Sequence, residues 1–286
     1  MRTVESLVDI GDTKLFVSER GEASGFPLIV LHGGPGLDHH EFADYLDPLT
    51  SRGVRLLLVD QRSQGRSAAA PTSTWTISQM SDDVVALALA LGLTEHAVLG
   101  HSFGALVCLQ HAFDHADQSA INIVSSGFPS LRFLAGVEEA IDSLEPEDLR
   151  ERVRKSMTAE ALIIETQEQM QTLLNDLYPF HFADPRDPRI EGFIERSKDA
   201  VYNPQILRVM SETGYGGYNL EDRLSEVSRP MLVLAGRHDR VCTVEAAEAI
   251  AKGASAELHI FEQSGHMAFV EQNAEYLDVV EGFVKR

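Results

Sequence analysis

Leu99-Gly100-His101-Ser102-Phe103-Gly104 is the stretch on which the reading of this chain turns. Residues 96–99 are a short apolar run that predicts a buried strand, and residues 105–113 have the composition of a packed helix. Ser102 therefore stands at the turn between them. The glycines at 100 and 104 permit the cramped backbone that such a turn requires, and the result is an exposed hydroxyl. Free amide hydrogens at the start of the helix point to where an oxyanion would form beside that hydroxyl. A serine between glycines also occurs in ordinary loops, so its meaning depends on the rest of the chain.

Outward from this turn the same rhythm repeats. Residues 27–31, 54–59, 121–124, 230–234 and 257–261 are apolar runs of strand length, the pattern of strands covered on both faces. Residues 6–10 and 15–19 flank Gly11-Asp12 as a hairpin at a sheet edge. Residues 41–50, 77–91, 244–251 and 273–284 predict helices, the second with Ser81 or Asp82 in its first turn. Strands alternating with helices predict an α/β fold, a mostly parallel central sheet flanked by helices, with its chemistry at the carboxyl ends of the strands. The rhythm breaks after Gly127. Residues 128–228 are helical in pattern and punctuated by Pro146, Pro179, Pro185, Pro188 and Pro204. Roughly a hundred residues is far too long for a crossover. The expected organisation is a core of residues 1–127 and 229–286 with a helical cap, residues 128–228, inserted in it.

A serine hydroxyl is a poor nucleophile at neutral pH and needs a base, which in turn needs a group to orient it. Gly236-Arg237-His238-Asp239-Arg240 places Asp239 after one late strand, and Ser264-Gly265-His266-Met267 places His266 after the next. The order Ser102, Asp239, His266 suits a triad in which Asp239 holds one ring nitrogen of His266 and the other faces Ser102. Gly265 would give the backbone freedom to aim the imidazole inward. The oxyanion would take two backbone amides, those of Phe103 and of Gly34 in the loop His32-Gly33-Gly34-Pro35-Gly36. That loop lacks the lysine of a phosphate-binding loop. Gly33 and His101 beside these donors, and Tyr215 in the insertion, are candidate substrate contacts. His111 and His115 lie four apart without an intervening glutamate and read as exposed helix-end histidines, and Asp38-His39-His40 as a solvated loop, so no metal site is expected. Trp75 reads as packing.

Composition sets the class of partner. The 286 residues carry 44 Asp and Glu against 24 Lys and Arg, a formal charge of −20 that argues against nucleic acid or an anionic membrane. The longest apolar run, residues 84–93, is too short to span a bilayer, and the first ten residues show no secretory pattern. Two cysteines, Cys108 and Cys242, build no disulfide framework and are expected buried and reduced. The expectation is a cytoplasmic monomer or small homo-oligomer acting on a small molecule or short peptide.

Five segments together, HGGPG at 32–36, DQRSQGRS at 60–67, GHSFG at 100–104, GRHDRV at 236–241 and SGHMAF at 264–269, resemble the α/β-hydrolase fold and, within it, the proline iminopeptidase group. The resemblance covers nearly the whole chain except the cap. It implies an intracellular serine hydrolase without a cofactor that releases N-terminal proline or a similar residue. Departures bear on the substrate: Ser63 stands where the group usually has glycine, Phe103 where tryptophan is common, and Arg240 where some relatives carry an acid. A cation at 240 would repel an α-ammonium and favour a carboxylate or a neutral ester. Glu212, near Tyr215, is the remaining candidate to clamp an amine. A carboxylesterase or lactonase is the alternative, cleavage of a carbon–carbon bond beside a ketone is more distant, and a non-catalytic ligand-binding protein of the same fold is a different class.

Overall fold

The computed structural model describes residues 2–157 and 163–286. β1 (Thr3–Asp9) and β2 (Lys14–Arg20) form an edge hairpin. β3 (Phe26–Leu31), β4 (Val54–Asp60), β5 (Ala97–His101), β6 (Ile121–Ser125), β7 (Met231–Gly236) and β8 (Glu257–Phe261) extend it to an eight-stranded sheet. The strand order is β1-β2-β4-β3-β5-β6-β7-β8. The β1–β2 and β2–β4 pairings are antiparallel and every other pairing is parallel.

Side chains on the central strands alternate between two apolar layers. Ile29, Leu57, Val98, Val124 and Val233 face one, Leu28, Leu56, Leu99, Ile123 and Leu232 the other. Both faces being covered, no polar residue is needed to meet water, which is why these runs are continuously apolar. The first layer is closed by α1 (Ile77–Ala90) and α2 (Phe103–Asp114), which pack on each other. Pairing of Leu31 with Gly100 and of His101 with Ser125 brings the carboxyl ends of β3, β5 and β6 level. The loops that follow these strands share one edge of the sheet.

Between β6 and β7 the described residues contain helices and no strand: α3 (Val137–Asp142), α4 (Glu147–Ser156), α5 (Gln167–His181), α6 (Arg189–Arg196), α7 (Pro204–Glu212) and the short α8 (Gly214–Gly217). Residues 158–162 of the expected cap lie outside the described residues. A capping box of Thr166 and Gln169 starts α5. After β7 come α9 (Val244–Ala254), then β8, α10 (Ala268–Glu271) and α11 (Asn273–Val284), with α9 closing the first apolar layer and α11 the second.

Two local expectations are corrected. Residues 41–50 form no α-helix; they lie across two 3-10 turns, His39–Phe42 and Asp47–Arg52, separated by Ala43 at φ 42 and ψ −117, a conformation that no helix continues through. α1 is capped by Thr76, whose hydroxyl accepts from the Gln79 amide at 3.0 Å, and Ser81 and Asp82, expected in its first turn, lie beyond that turn, which carries no acid.

Candidate active site

Ser102 occupies the turn between β5 and α2 at φ 53 and ψ −116, a strained conformation for a residue with a side chain. Its amide donates to Ser125 at 3.0 Å and its carbonyl accepts from Ala105 at 2.9 Å, so the turn is held from both sides. The flanking glycines are required by close approach. A Cβ on Gly100 would lie 2.0 Å from the Gly104 carbonyl oxygen, and one on Gly104 would lie 2.3 Å from that of Leu31. Any larger side chain would lift α2 off the sheet and tilt the serine.

His266 and Asp239 meet below this turn. Asp239 Oδ1 accepts from the amides of Val241 and Cys242, both at 2.9 Å, which fixes the carboxylate and leaves Oδ2 to take the proton of His266 Nδ1 at 2.8 Å. The tautomer is thereby set, with Nε2 free for another partner. Burial alone would lower the His266 pKa, but the charge and hydrogen bond of Asp239 outweigh it and hold the pKa above its ordinary value. The His266 amide donates to the His181 carbonyl at 2.7 Å, and its carbonyl accepts from Ser126 Oγ at 3.1 Å. Gly265 is needed for space rather than for a special φ: a Cβ there would lie 2.5 Å from the His181 oxygen. Ser102 and His266 line one cavity with no hydrogen bond between them.

The first glycine-rich loop is braced by the second motif. Gln61 donates its amide to His32 Nε2 at 3.1 Å and its side chain to the His32 carbonyl at 2.8 Å, and His32 Nδ1 then donates to the Gly33 carbonyl at 2.8 Å. Gln64 Oε1 takes the Gly36 amide at 2.6 Å, while Asp60 takes the amides of His39 and Arg66 at 2.9 and 2.8 Å. Ser63 sits at φ 60, left-handed backbone where glycine is the ordinary choice. Its hydroxyl accepts from Ala70 N at 2.8 Å and from Trp75 Nε1 at 2.9 Å, two bonds a glycine could not make. Trp75 is thus a packing residue outside the cavity. Gly34, at φ +114, and Ser102 both face the cavity, so the Gly34 amide and the unpaired first amide of α2, on Phe103, can serve one oxyanion.

The cavity holds about 420 Å³. Its floor is Gly34, Glu41, Ser102 and His266, and Met170, Leu173, Leu174, Leu177 and Leu207 from the helical segment give it apolar walls. Tyr215 lines it as well.

Four other candidates are placed elsewhere. Glu212 is solvent-exposed and does not line the cavity, because α7 turns that side of its last turn outward. Arg240 donates to the carbonyls of Phe180, Phe182 and Ala183 at 3.1, 2.6 and 3.0 Å; its charge is spent on the end of α5 and the chain that follows it. Gly33 commits its amide to Glu41 Oε2 at 2.6 Å. His101 is fully buried behind the cavity, its ring 4.9 Å from that of His266, with neither nitrogen hydrogen-bonded among the described residues.

The histidines read as exposed are also corrected. His111 is fully buried with neither ring nitrogen hydrogen-bonded among the described residues, and burial pushes its pKa down to about 3, while His115 pairs with Asp82 at 2.8 Å. Asp38 and His39 are buried, not solvated: Asp38 binds the amide and ring of His40 and the Val201 amide, and His39 binds Asp60. Asp38, His39 and His40, like Asp239, Cys242 and His266, lie close enough for a metal, but His40 is bonded to Asp38, His39 to Asp60 and His266 Nδ1 to Asp239, and burial pushes the Cys242 thiol well up. Cys108 is free and buried, its thiol pushed up to about 12.

Two cavity residues carried no signal in the sequence. Glu41 follows the glycine loop in a segment that reads as a helix, and burial raises its pKa to about 7 against the lowering effect of the Gly33 amide. His181 has no motif around it; it faces the cavity from the end of α5, its ring 4.9 Å from that of His266.

No helix among the described residues is long and apolar enough to cross a membrane. A proline iminopeptidase from Clostridium botulinum is 24% identical over 295 aligned residues, covering 100% of this chain and 99% of the relative. The crystal structure of a proline iminopeptidase from Mycobacterium smegmatis has TM-score 0.76 at 22% identity, covering 99% of this chain and 98% of that one. An esterase from Exiguobacterium antarcticum has TM-score 0.74 at 23% identity, with 100% of both chains covered. At these identities the two structures share the fold with this chain. With the model of the alpha/beta hydrolase family matching residues 28–279, the serine turn, the carboxylate at 239 and the late histidine all fall within one description, and the chain belongs to the alpha/beta hydrolase family.

Proposed function

We propose that the protein is a serine hydrolase that transfers the acyl group of a small, largely apolar ester first to Ser102 and then to water. The observation that carries this reading is the Asp239–His266 pair at 2.8 Å opening onto the same cavity as the strained Ser102. In this mechanism His266 Nε2 takes the Ser102 proton as Oγ attacks the substrate carbonyl, and the amides of Gly34 and Phe103 receive the oxyanion. His266 returns the proton to the leaving group, then activates the water that frees the acid. Residues 128–228 act as the cap over this chemistry, and the reaction requires no cofactor or metal.

Wall composition favours the ester. Among the described residues, the helical segment presents no carboxylate to the cavity, and the one acid there, Glu41, already holds the Gly33 amide. A second reading, release of an N-terminal residue from a peptide, is supported by full-length similarity to a protein named proline iminopeptidase, and it would require an α-ammonium to be met by Glu41 alone. Turnover of short p-nitrophenyl esters compared with proline-naphthylamide separates the two. Ester turnover without amide turnover is expected; amide cleavage that disappears when the substrate amine is blocked would reverse the order of the readings.

A further inference from the structure

We propose that Glu41 is a positioning residue for acyl transfer, its charged carboxylate holding the oxyanion loop through Gly33 and supporting the protonated form of His266. The proposal rests on the serine-hydrolase reading and goes beyond it, since no triad role involves this residue.

Geometry places Glu41 at the junction of the catalytic parts. Oε2 takes the Gly33 amide at 2.6 Å, one residue before the amide that would bind the oxyanion. A Cβ on Gly33 would lie 2.7 Å from Glu41 Oε1 and 3.1 Å from Ser102 Cβ, so the carboxyl and the serine flank the same glycine. Oε1 makes no hydrogen bond among the described residues, lies 3.9 Å from His101 Nε2, and belongs to a side chain that lines the cavity with His266. Glu41 is 8% exposed.

A neutral glutamine could accept from Gly33 equally well and would avoid the cost of a charge in an apolar wall. The charge therefore has a use of its own. Catalysis converts His266 to an imidazolium at each attack, and an ionised carboxylate in the same low-dielectric cavity stabilises that form. Burial raises Glu41 to about 7, so it changes charge in the range where His266 works. Other groups near it are Asp38, His101, Tyr178, Tyr202 and Tyr276. Burial pushes the three tyrosines up and His101 down, which leaves them neutral between pH 6 and 8. Asp38 is bound by His40 and the Val201 amide. Glu41 and His266 are left as the interacting pair of groups that can change charge there.

The test uses a fluorophosphonate, which requires no knowledge of the substrate. Ser102 Oγ bonds to phosphorus, the phosphorus–fluorine bond breaks, fluoride leaves, and the serine proton passes to His266. Second-order labelling rates are measured against pH for the wild type, Glu41→Gln and Glu41→Asp, with folding checked by thermal melting. For the wild type, the acid limb is expected to rise with a slope above one in log rate, as two groups lose protons. Glu41→Gln should label about tenfold more slowly at the plateau, with slope one and a midpoint about one pH unit lower, and Glu41→Asp should recover part of the rate. A folded Glu41→Gln protein with the wild-type rate and profile would overturn the proposal while leaving the serine-hydrolase reading standing. A wild type that does not label at all would instead overturn that underlying reading.

Discussion

Ser102 is held at φ 53 by its neighbours rather than by its own side chain, so removing the hydroxyl should leave the turn in place. Ser102→Ala is expected to melt within a few degrees of the wild type and to lose about 10⁴-fold or more in kcat on a p-nitrophenyl ester. Glu41 makes a different prediction at the same scale. Its pKa is raised to about 7 in the folded protein from an ordinary 4.5, so the folded state favours its proton. The stabilisation this gives is complete below about pH 4.5 and is lost as pH rises through 7. Glu41→Gln should therefore melt higher than the wild type at pH 8, by up to about 3 kcal/mol, with the gap closing near pH 5. Thermal melts at the two pH values check this. Of the single residues, those whose place was legible in the sequence are the ones set by a strand end, namely Ser102, Asp239 and His266. Glu212 and Glu41 show the limit: both are acids in segments that read as helical, and only the fold turns one to solvent and the other into the cavity.

Elements are joined here by motifs whose work is invisible in one dimension. The 60–67 run supplies no group to the cavity; it braces the 32–36 loop through Gln61 and Gln64, and its Arg62 is buried in an ion pair with Asp83 at 2.8 Å. Arg240 does the same between core and helical segment, binding three consecutive-turn carbonyls at 180–183 just beside the His181 oxygen that takes the His266 amide. Arg240→Ala should loosen this stretch without unfolding the sheet. Faster amide exchange in residues 180–185 and a fall in kcat/KM of about tenfold are expected, with Arg240→Lys intermediate because a single ammonium cannot span the three acceptors. Strand positions were legible because burial on both faces imposes continuous apolar runs, and residues 273–284 match their helix end to end. Residues 41–50 were misread because apolar spacing says nothing of the positive φ at Ala43.

For the whole molecule, acid sensitivity follows from buried neutral histidines. His111 is driven down to about 3 by burial, against about 6.5 in an unfolded chain, so the unfolded chain takes up a proton that the folded one cannot. Stability is complete above about pH 6.5 and falls as pH drops toward 3, by up to about 1.4 kcal/mol per pH unit for this group. His266 acts in the opposite sense, its raised pKa adding stability on acidification until its unfolded pKa is passed. His111→Leu should flatten the decline in melting temperature between pH 6.5 and 4.5 while leaving esterase turnover at pH 8 unchanged. The proposed acyl transfer depends on 163 residues of intervening chain folding so that positions 102 and 266 come together beside one carboxylate. Peptide mapping by mass spectrometry after fluorophosphonate treatment tests this most directly. A single adduct on Ser102, abolished by Ser102→Ala and slowed by orders of magnitude in His266→Ala and Asp239→Asn, is the expected result; an unlabelled folded protein, or an adduct on any other residue, would contradict it.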